Sequence, residues 1–325
     1  MSAISQSWAR AASNRQLVLI SLFIASLGST GLRQKVLALQ NEQPLHSAHE
    51  KYQKYRCTQN PFLASINDEV TAVEKRMENW LKGSMHLEKD LVSDDKYNEL
   101  DHSRLRVFRN LTTCDSECVG GKCSSDTSKI VCGVSSLRSP CVVYSLGGNN
   151  MWAFELGIAQ RTPCEVHTFD CTGPRSRFKV PSNPMIHFHH TCIVPENDGH
   201  LGNGDLAEKS QTLSEMQAEL GHRRIDILKM DIEGYEWPIM LQWYTIFDRR
   251  SSPEFMLPMQ ILVEVHYRTH MTDLASHEGP FKFPTDMITL QRHLIEMGYF
   301  TAVYDENKHC KHCVELSLLR LWCPK

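Results

Sequence analysis

Apolar residues in the second half of the chain fall into short unbroken blocks, separated by stretches in which they recur every three or four positions. The blocks VVYSL (142–146), CEVHTF (164–169), MIHFHHTCIV (185–194), IDILKM (225–230) and QILVEVH (260–266) read as strands buried on both faces. Helical spacing follows in between. It begins at Trp152, Phe154, Leu156 and Ile158, continues in SQTLSEMQAEL with a capping box from Thr212 to Glu215, and covers 236–247 and 285–297, the last closed by Gly298. YFTAVY and CVELSLLRL, separated by DENKHCKH, predict a terminal antiparallel hairpin. Strands alternating with helices predict an α/β fold: a mostly parallel sheet with helices on both faces, to which the hairpin adds one antiparallel strand.

Upstream the pattern is different. Phe62, Leu63, Ile66, Val70, Val73, Met77, Trp80 and Leu81 form an apolar stripe at helical spacing, with Asn60-Pro61 as its start signal and Gly83 as its stop. The stripe predicts packing against the catalytic region. Residues 34–60 are polar without a period and read as a stem, and 114–140, rich in Ser, Gly and Cys, read as loop. Arg10 and Arg15 precede the apolar run LVLISLFIASL, and no acidic residue comes before Glu42, the pattern of a targeting segment. The domain reading is therefore 1–38 as signal peptide or signal anchor, 39–104 as stem and amphipathic helical region, and 105–325 as the catalytic domain with a Cys-rich entry.

A formal charge of -3 gives no electrostatic footprint for nucleic acid, and none is expected as a partner. The twelve cysteines and the sequon Asn110-Leu111-Thr112 add a compartment. Disulfides and glycosylation both belong to the secretory pathway, so the expected location is the Golgi lumen or the cell exterior, with membrane attachment where the N-terminal segment is an anchor rather than a cleaved signal peptide; its Ser-rich, acid-poor start also fits an organelle transit peptide. Cys114, Cys118, Cys123 and Cys132 allow three pairings. Cys310 and Cys313, with His309 and His312, allow either zinc or disulfides, and disulfides involving Cys323 are the favoured reading.

Ligands of such sheets bind beyond the carboxyl ends of the strands, where the strand order reverses. The polar residues at those ends are Gly147, Gly148, Asn149 and Asn150 after the first block, Asp170 after the second, Asp231 and Glu233 after the fourth, and Glu264 and His266 on the fifth. A glycine turn opening a helix exposes backbone N–H groups, and an acid some 20 residues on is placed to bind ribose hydroxyls. An adenosine-type cofactor follows, with a helix cap as the alternative role of Asp170. His187, His189 and His190 alternate along the third block and read as hydrogen-bonded structure.

SLGGNNMWAFE, CEVHTFDCT, KMDIEGYEW and QILVEVH together resemble the methyltransferase-domain family that includes secretory-pathway methyltransferase-like proteins, relatives of FkbM-type sugar O-methyltransferases. The resemblance covers roughly residues 105–322. It implies a Rossmann-like class I methyltransferase fold with seven strands, and S-adenosylmethionine as cofactor. Gly147, Gly148 and Asn149 would line its methionine end, with Asn150 completing the turn; Asp170 would bind its ribose and Asp231 would lie between cofactor and acceptor. Ser145 stands where an acid commonly begins the glycine motif, and Gly-Asn-Asn where a further glycine is usual.

Methyl transfer to a hydroxyl needs alignment and removal of a proton. His266 is the expected base, with Asp231 or Glu233 as alternative bases or as ligands of a divalent metal, although no metal is part of the favoured reading. The expected acceptor is a sugar, another glycan or a small hydroxylated molecule. Two other readings remain distinct: a metal-dependent glycosyltransferase using Asp231-Ile232-Glu233, and a non-catalytic binding protein that keeps the scaffold.

Overall fold

The structure, a computed structural model, describes residues 57, 59–91, 102–123, 125, 127–195, 210–249, 257–269, 282, 284–308 and 310–323. The N-terminal stretch expected to be a targeting segment and His309 lie outside the described residues. Lys54–Lys325 forms one compact unit.

Its elements are α1 (Val70–Leu91), β1 (Ser116–Gly120), β2 (Ser128–Cys132), β3 (Val142–Leu146), α2 (Ala153–Arg161), β4 (Glu165–Phe169), β5 (Ile186–His189), β6 (Cys192–Ile193), β7 (Ser210–Gln211), α3 (Leu213–Leu220), β8 (Ile227–Met230), α4 (Glu236–Arg249), β9 (Gln260–His266), α5 (Pro284–Glu296), β10 (Tyr299–Glu306) and β11 (Cys313–Arg320). Seven strands make one sheet in the order β10-β11-β9-β8-β3-β4-β5. All neighbours are parallel except those of β11, which runs against both β9 and β10. The order reverses at β3, because the chain steps outward through β4 and β5 and then returns to β8 on the other side.

The apolar blocks form strands because they can fill both faces at once. Tyr144 and Leu146 enter one core with Leu228, Met230 and Trp237, while Val143 enters a second core with Val166, Ile227 and Ile158. The second core also takes Phe62, Val73 and Met77, so the amphipathic segment packs onto the sheet unit as its stripe predicted. Asn60 fastens the entry: its Nδ2 donates to Met259 O at 3.1 Å and Arg320 O at 2.7 Å, and its Oδ1 accepts from Phe62 N at 2.9 Å.

Two local expectations are corrected. Asn60-Pro61 starts only a single 3-10 turn, Pro61–Ser65, and the long helix begins at Val70 and passes straight through Gly83. A Cβ added at Gly83 would have nothing within 4 Å; a mid-helix glycine costs only about 1 kcal/mol relative to Ala. The Cys-rich segment is not loop throughout, since β1 and β2 pair antiparallel from Ser116↔Cys132 to Gly120↔Ser128.

All twelve cysteines pair, as Cys57–Cys323, Cys114–Cys132, Cys118–Cys123, Cys141–Cys164, Cys171–Cys192 and Cys310–Cys313. Disulfides were expected at 310–313, but Cys323 reaches back to Cys57 instead. That bond ties the start of the compact unit to its end.

Candidate active site

The turn after β3 is shaped by close backbone approach. Gly147 has φ +77°, and a Cβ there would lie 2.0 Å from Asp231 O, so the backbones leaving β3 and β8 touch. Lys229 Nζ donates to Gly147 O from the β8 side. Asn149 and Asn150 follow at φ 43° and 60°. That left-handed conformation explains why Asn replaces the further glycine of the usual motif: after glycine, it is the residue that best tolerates this region. Asn149 N donates to Asp170 Oδ2 at 2.6 Å, and Thr172 N donates to Asp170 Oδ1 at 2.8 Å. Gly147, Gly148, Asn149, Asn150 and Asp170 thus converge at the switch point.

The residues accept an adenosine-type cofactor on three counts. Asp170 is buried and held by two backbone donors, yet each carboxylate oxygen keeps acceptor capacity. Ser145 Oγ donates to Glu155 Oε1 at 2.6 Å, so α2 brings a carboxylate to the strand position that lacks one. Glu155 Oε2 and Thr168 Oγ1 are buried without a partner near the same turn, and orphaned polar atoms of this kind call for a ligand or water. Across the mouth of the turn, Arg177 donates to Asn149 Oδ1, while Lys179 N and Trp152 Nε1 donate to Asn150 Oδ1 at 2.7 and 3.1 Å.

On the β8–β9 side, Asp231, Glu233 and His266 each place one oxygen or nitrogen within 4.8 Å of the others. Glu233 has φ 60° and a side chain 58% exposed, with Oε2 3.8 Å from His266 Nε2. His266 Nδ1 lies 2.7 Å from Oε1 of Glu236, which is fully buried and also accepts from His266 N at 2.8 Å. Burial alone would pull the imidazole down, but Glu236 outweighs it and pushes His266 up to about 10. His266 therefore holds its proton at neutral pH and does not fit the expected role of base. An imidazolium here donates.

Beneath these groups sits Lys129 on β2, its side chain 2% exposed. Its Nζ lies 3.3 Å from Asp231 Oδ2 and 3.7 Å from Glu264 Oε2, and pairs more closely with Glu315 Oε1. Glu264 and Glu315 face each other across β9 and β11, an arrangement that repels when both are charged. Burial, then Asp231 and Glu315, push Glu264 well up. Burial acts the same way on Asp231, but Lys129, followed by Lys229 and His266, holds its carboxyl below the usual range. The site supplies its own cations, so the Asp231–Glu233–His266 group has little need of a metal. Cys310 and Cys313, which lie near Glu264 and His266, are spent in their disulfide.

Lys129, Glu236, Glu155 and Glu315 were not singled out from sequence. For Lys129 the available signal was one charged residue opening the short apolar run IVC, masked by its Ser- and Cys-rich surroundings.

The reversed strand order, its antiparallel penultimate strand and the glycine turn at the switch point define a class I methyltransferase fold. Residues 88–320 match the family model described as "Methyltransferase domain", and the chain belongs to that family. Over 103 residues it is 35% identical to "Probable methyltransferase-like protein 24" of Rattus norvegicus and 33% identical to the Homo sapiens protein of that name. Each match spans 31% of this chain and 27% of the relative. Among solved structures, a Burkholderia thailandensis 1,6-didemethyltoxoflavin-N1-methyltransferase with bound S-adenosylhomocysteine aligns over 57% of this chain and 72% of its own, with TM-score 0.30 and 9% identity. The N-terminal domain of EvdMO1 with bound S-adenosylhomocysteine aligns over 56% and 75%, with TM-score 0.30 and 9% identity.

Proposed function

We propose that this chain is an S-adenosylmethionine-dependent methyltransferase that methylates a hydroxyl of a sugar or another small hydroxylated acceptor within the secretory pathway. The observation that carries the reading is the convergence of Asp170 with the Asn149 amide on one side of Gly147, and of Asp231 on the other. Family membership supports the reaction class. Six disulfides and an exposed Asn110 in its sequon support a lumenal setting, Golgi or extracellular.

The cofactor supplies a methyl group on a sulfonium, which an in-line displacement transfers. Asp170 would hold the ribose, and Gly147 to Asn150 with Glu155 would surround the methionine end. Asp231, kept ionised by Lys129, accepts a hydrogen bond from a neighbouring hydroxyl of the acceptor and so orients the reacting one. The His266 imidazolium donates, fixing a second oxygen of the acceptor. The exposed Glu233 takes the hydroxyl proton as the new C–O bond forms.

One observation favours the non-catalytic reading: the Asn149 and Asn150 side chains are already occupied by Arg177, Lys179 and Trp152. Calorimetric titration of the disulfide-intact protein with S-adenosylmethionine, and separately with a nucleotide sugar plus manganese, separates the readings. The methyltransferase predicts binding of the former that falls at least about tenfold in Asp170→Ala. It also predicts that Glu233→Gln loses methyl incorporation into a glycan panel while keeping cofactor affinity. Silence towards S-adenosylmethionine sinks the proposal.

A further inference from the structure

A second group of potential ligands lies away from Asp231, on the β4–β5 side of the sheet. Glu165 and His167 are two apart on β4 and so share a face. His187 stands directly beside His167 on parallel β5. The three side chains each place one nitrogen or oxygen within 4.8 Å of the others. His167 Nε2 is 3.7 Å from Glu165 Oε2. Zinc held at about 2.0–2.1 Å by tetrahedrally arranged ligands separates them by roughly 3.3 Å, so the three ligand atoms, which lie within 4.8 Å of one another, must draw closer around the ion.

The His167 ring is fixed as a ligand would be. Its Nδ1 lies 3.0 Å from His189 Nε2, and it stacks on His187 with centroids 4.7 Å apart and edges against His222 at 4.7 Å. His167 is 6% exposed, yet its Nε2 has no hydrogen-bond partner. In one tautomer a buried lone pair faces a carboxylate; in the other a buried N–H goes unused. Either is costly, and a cation between Nε2 and Glu165 removes the cost. A neighbour bonded to the remote ring nitrogen is also the common support of a metal-bound histidine.

We propose that Glu165, His167 and His187 form a binding site for a divalent transition metal of the zinc class. Two imidazoles and one carboxylate give borderline ligands suited to zinc, and three protein ligands leave a fourth position for water or a substrate oxygen. Glu165, whose side chain is 54% exposed, opens the site to solvent. The metal would cross-link β4 and β5 independently of any methyl transfer.

The test uses the full chain, disulfides intact, without a polyhistidine tag and stripped by chelator. Zinc chloride is titrated calorimetrically, and cobalt(II) is added for its visible absorption. One zinc per chain is expected, with cobalt giving the intense bands of a four-coordinate site. His187→Ala and Glu165→Gln, both outside the deepest core, should each weaken zinc at least about tenfold, whereas Glu233→Gln should leave it unchanged. Absence of binding overturns the proposal. So does binding that survives both β4–β5 variants or that is lost in Glu233→Gln, which would move the metal to the Asp231 side.

Discussion

Lys129 Nζ lies 3.3 Å from Asp231 Oδ2, although the two residues are 102 positions apart and one belongs to the entry hairpin. The contact makes β2 part of the candidate active site. Without that lysine, Asp231, Glu264 and Glu315 would face each other with no cation on the β2 side.

Lys129→Met therefore removes a cation that lies against all three carboxylates, and losing one member of a buried ion network costs about 3–5 kcal/mol. Denaturant unfolding should show this loss. Adding Glu315→Gln should recover part of it, because one of the stranded charges goes. A single substitution with wild-type stability would mean that the carboxylates are neutral and the network is not electrostatic.

The His266–Glu236 pair predicts a particular pH dependence. His266 is raised from 6.5 to about 10 in the folded protein. Its contribution is then fully present below about 6.5 and is lost as pH rises towards 10, with a slope of up to about 1.4 kcal/mol per pH unit. Thermal unfolding from pH 6.5 to 10 should decline less steeply in Glu236→Gln than in the wild type. Parallel curves would show that the pair carries no charge.

Two glycines with nearly the same backbone angle separate strain from crowding. Gly221 has φ +70° and open space around it, whereas Gly147 has φ +77° and a Cβ added there would lie 2.0 Å from Asp231 O. Gly221→Ala should cost about 1 kcal/mol, the left-handed penalty alone. Gly147→Ala should cost at least about 3 kcal/mol, because neither backbone can yield without moving a strand end. Equal costs in denaturant unfolding would mean that the turn is free to shift.

Strands such as β9 were legible because burial on both faces leaves an unbroken apolar run. The candidate residues at the strand ends followed from that alternation, since topology decides where a strand stops and what stands beside it. What stayed hidden depends on distant partners. Glu236 reads as an ordinary first-turn acid of α4, and nothing in its spacing says that it will hold the proton on an imidazole 30 residues later. Lys129 meets Glu315 across 186 residues. Asn149 and Asn150 looked like a departure from the glycine motif, and only their positive φ reveals them as its equivalent.

The last prediction concerns where the folding unit begins. The match to the methyltransferase family starts at residue 88, but Phe62, Val73 and Met77 are completely buried in the same core as Phe300 and Leu319. Removing them forfeits about 1.5–3 kcal/mol for each side chain, or roughly 5–9 kcal/mol in all, a large share of the 5–15 kcal/mol of a typical domain. The cut also strips Cys323 of its partner and leaves Met259 O and Arg320 O without the Asn60 amide. A fragment of residues 54–325 should unfold cooperatively, while one of residues 105–325 should show no cooperative transition and should bind a hydrophobic dye. If the shorter fragment melts within a few degrees of the longer, α1 is an accessory and the core closes without it.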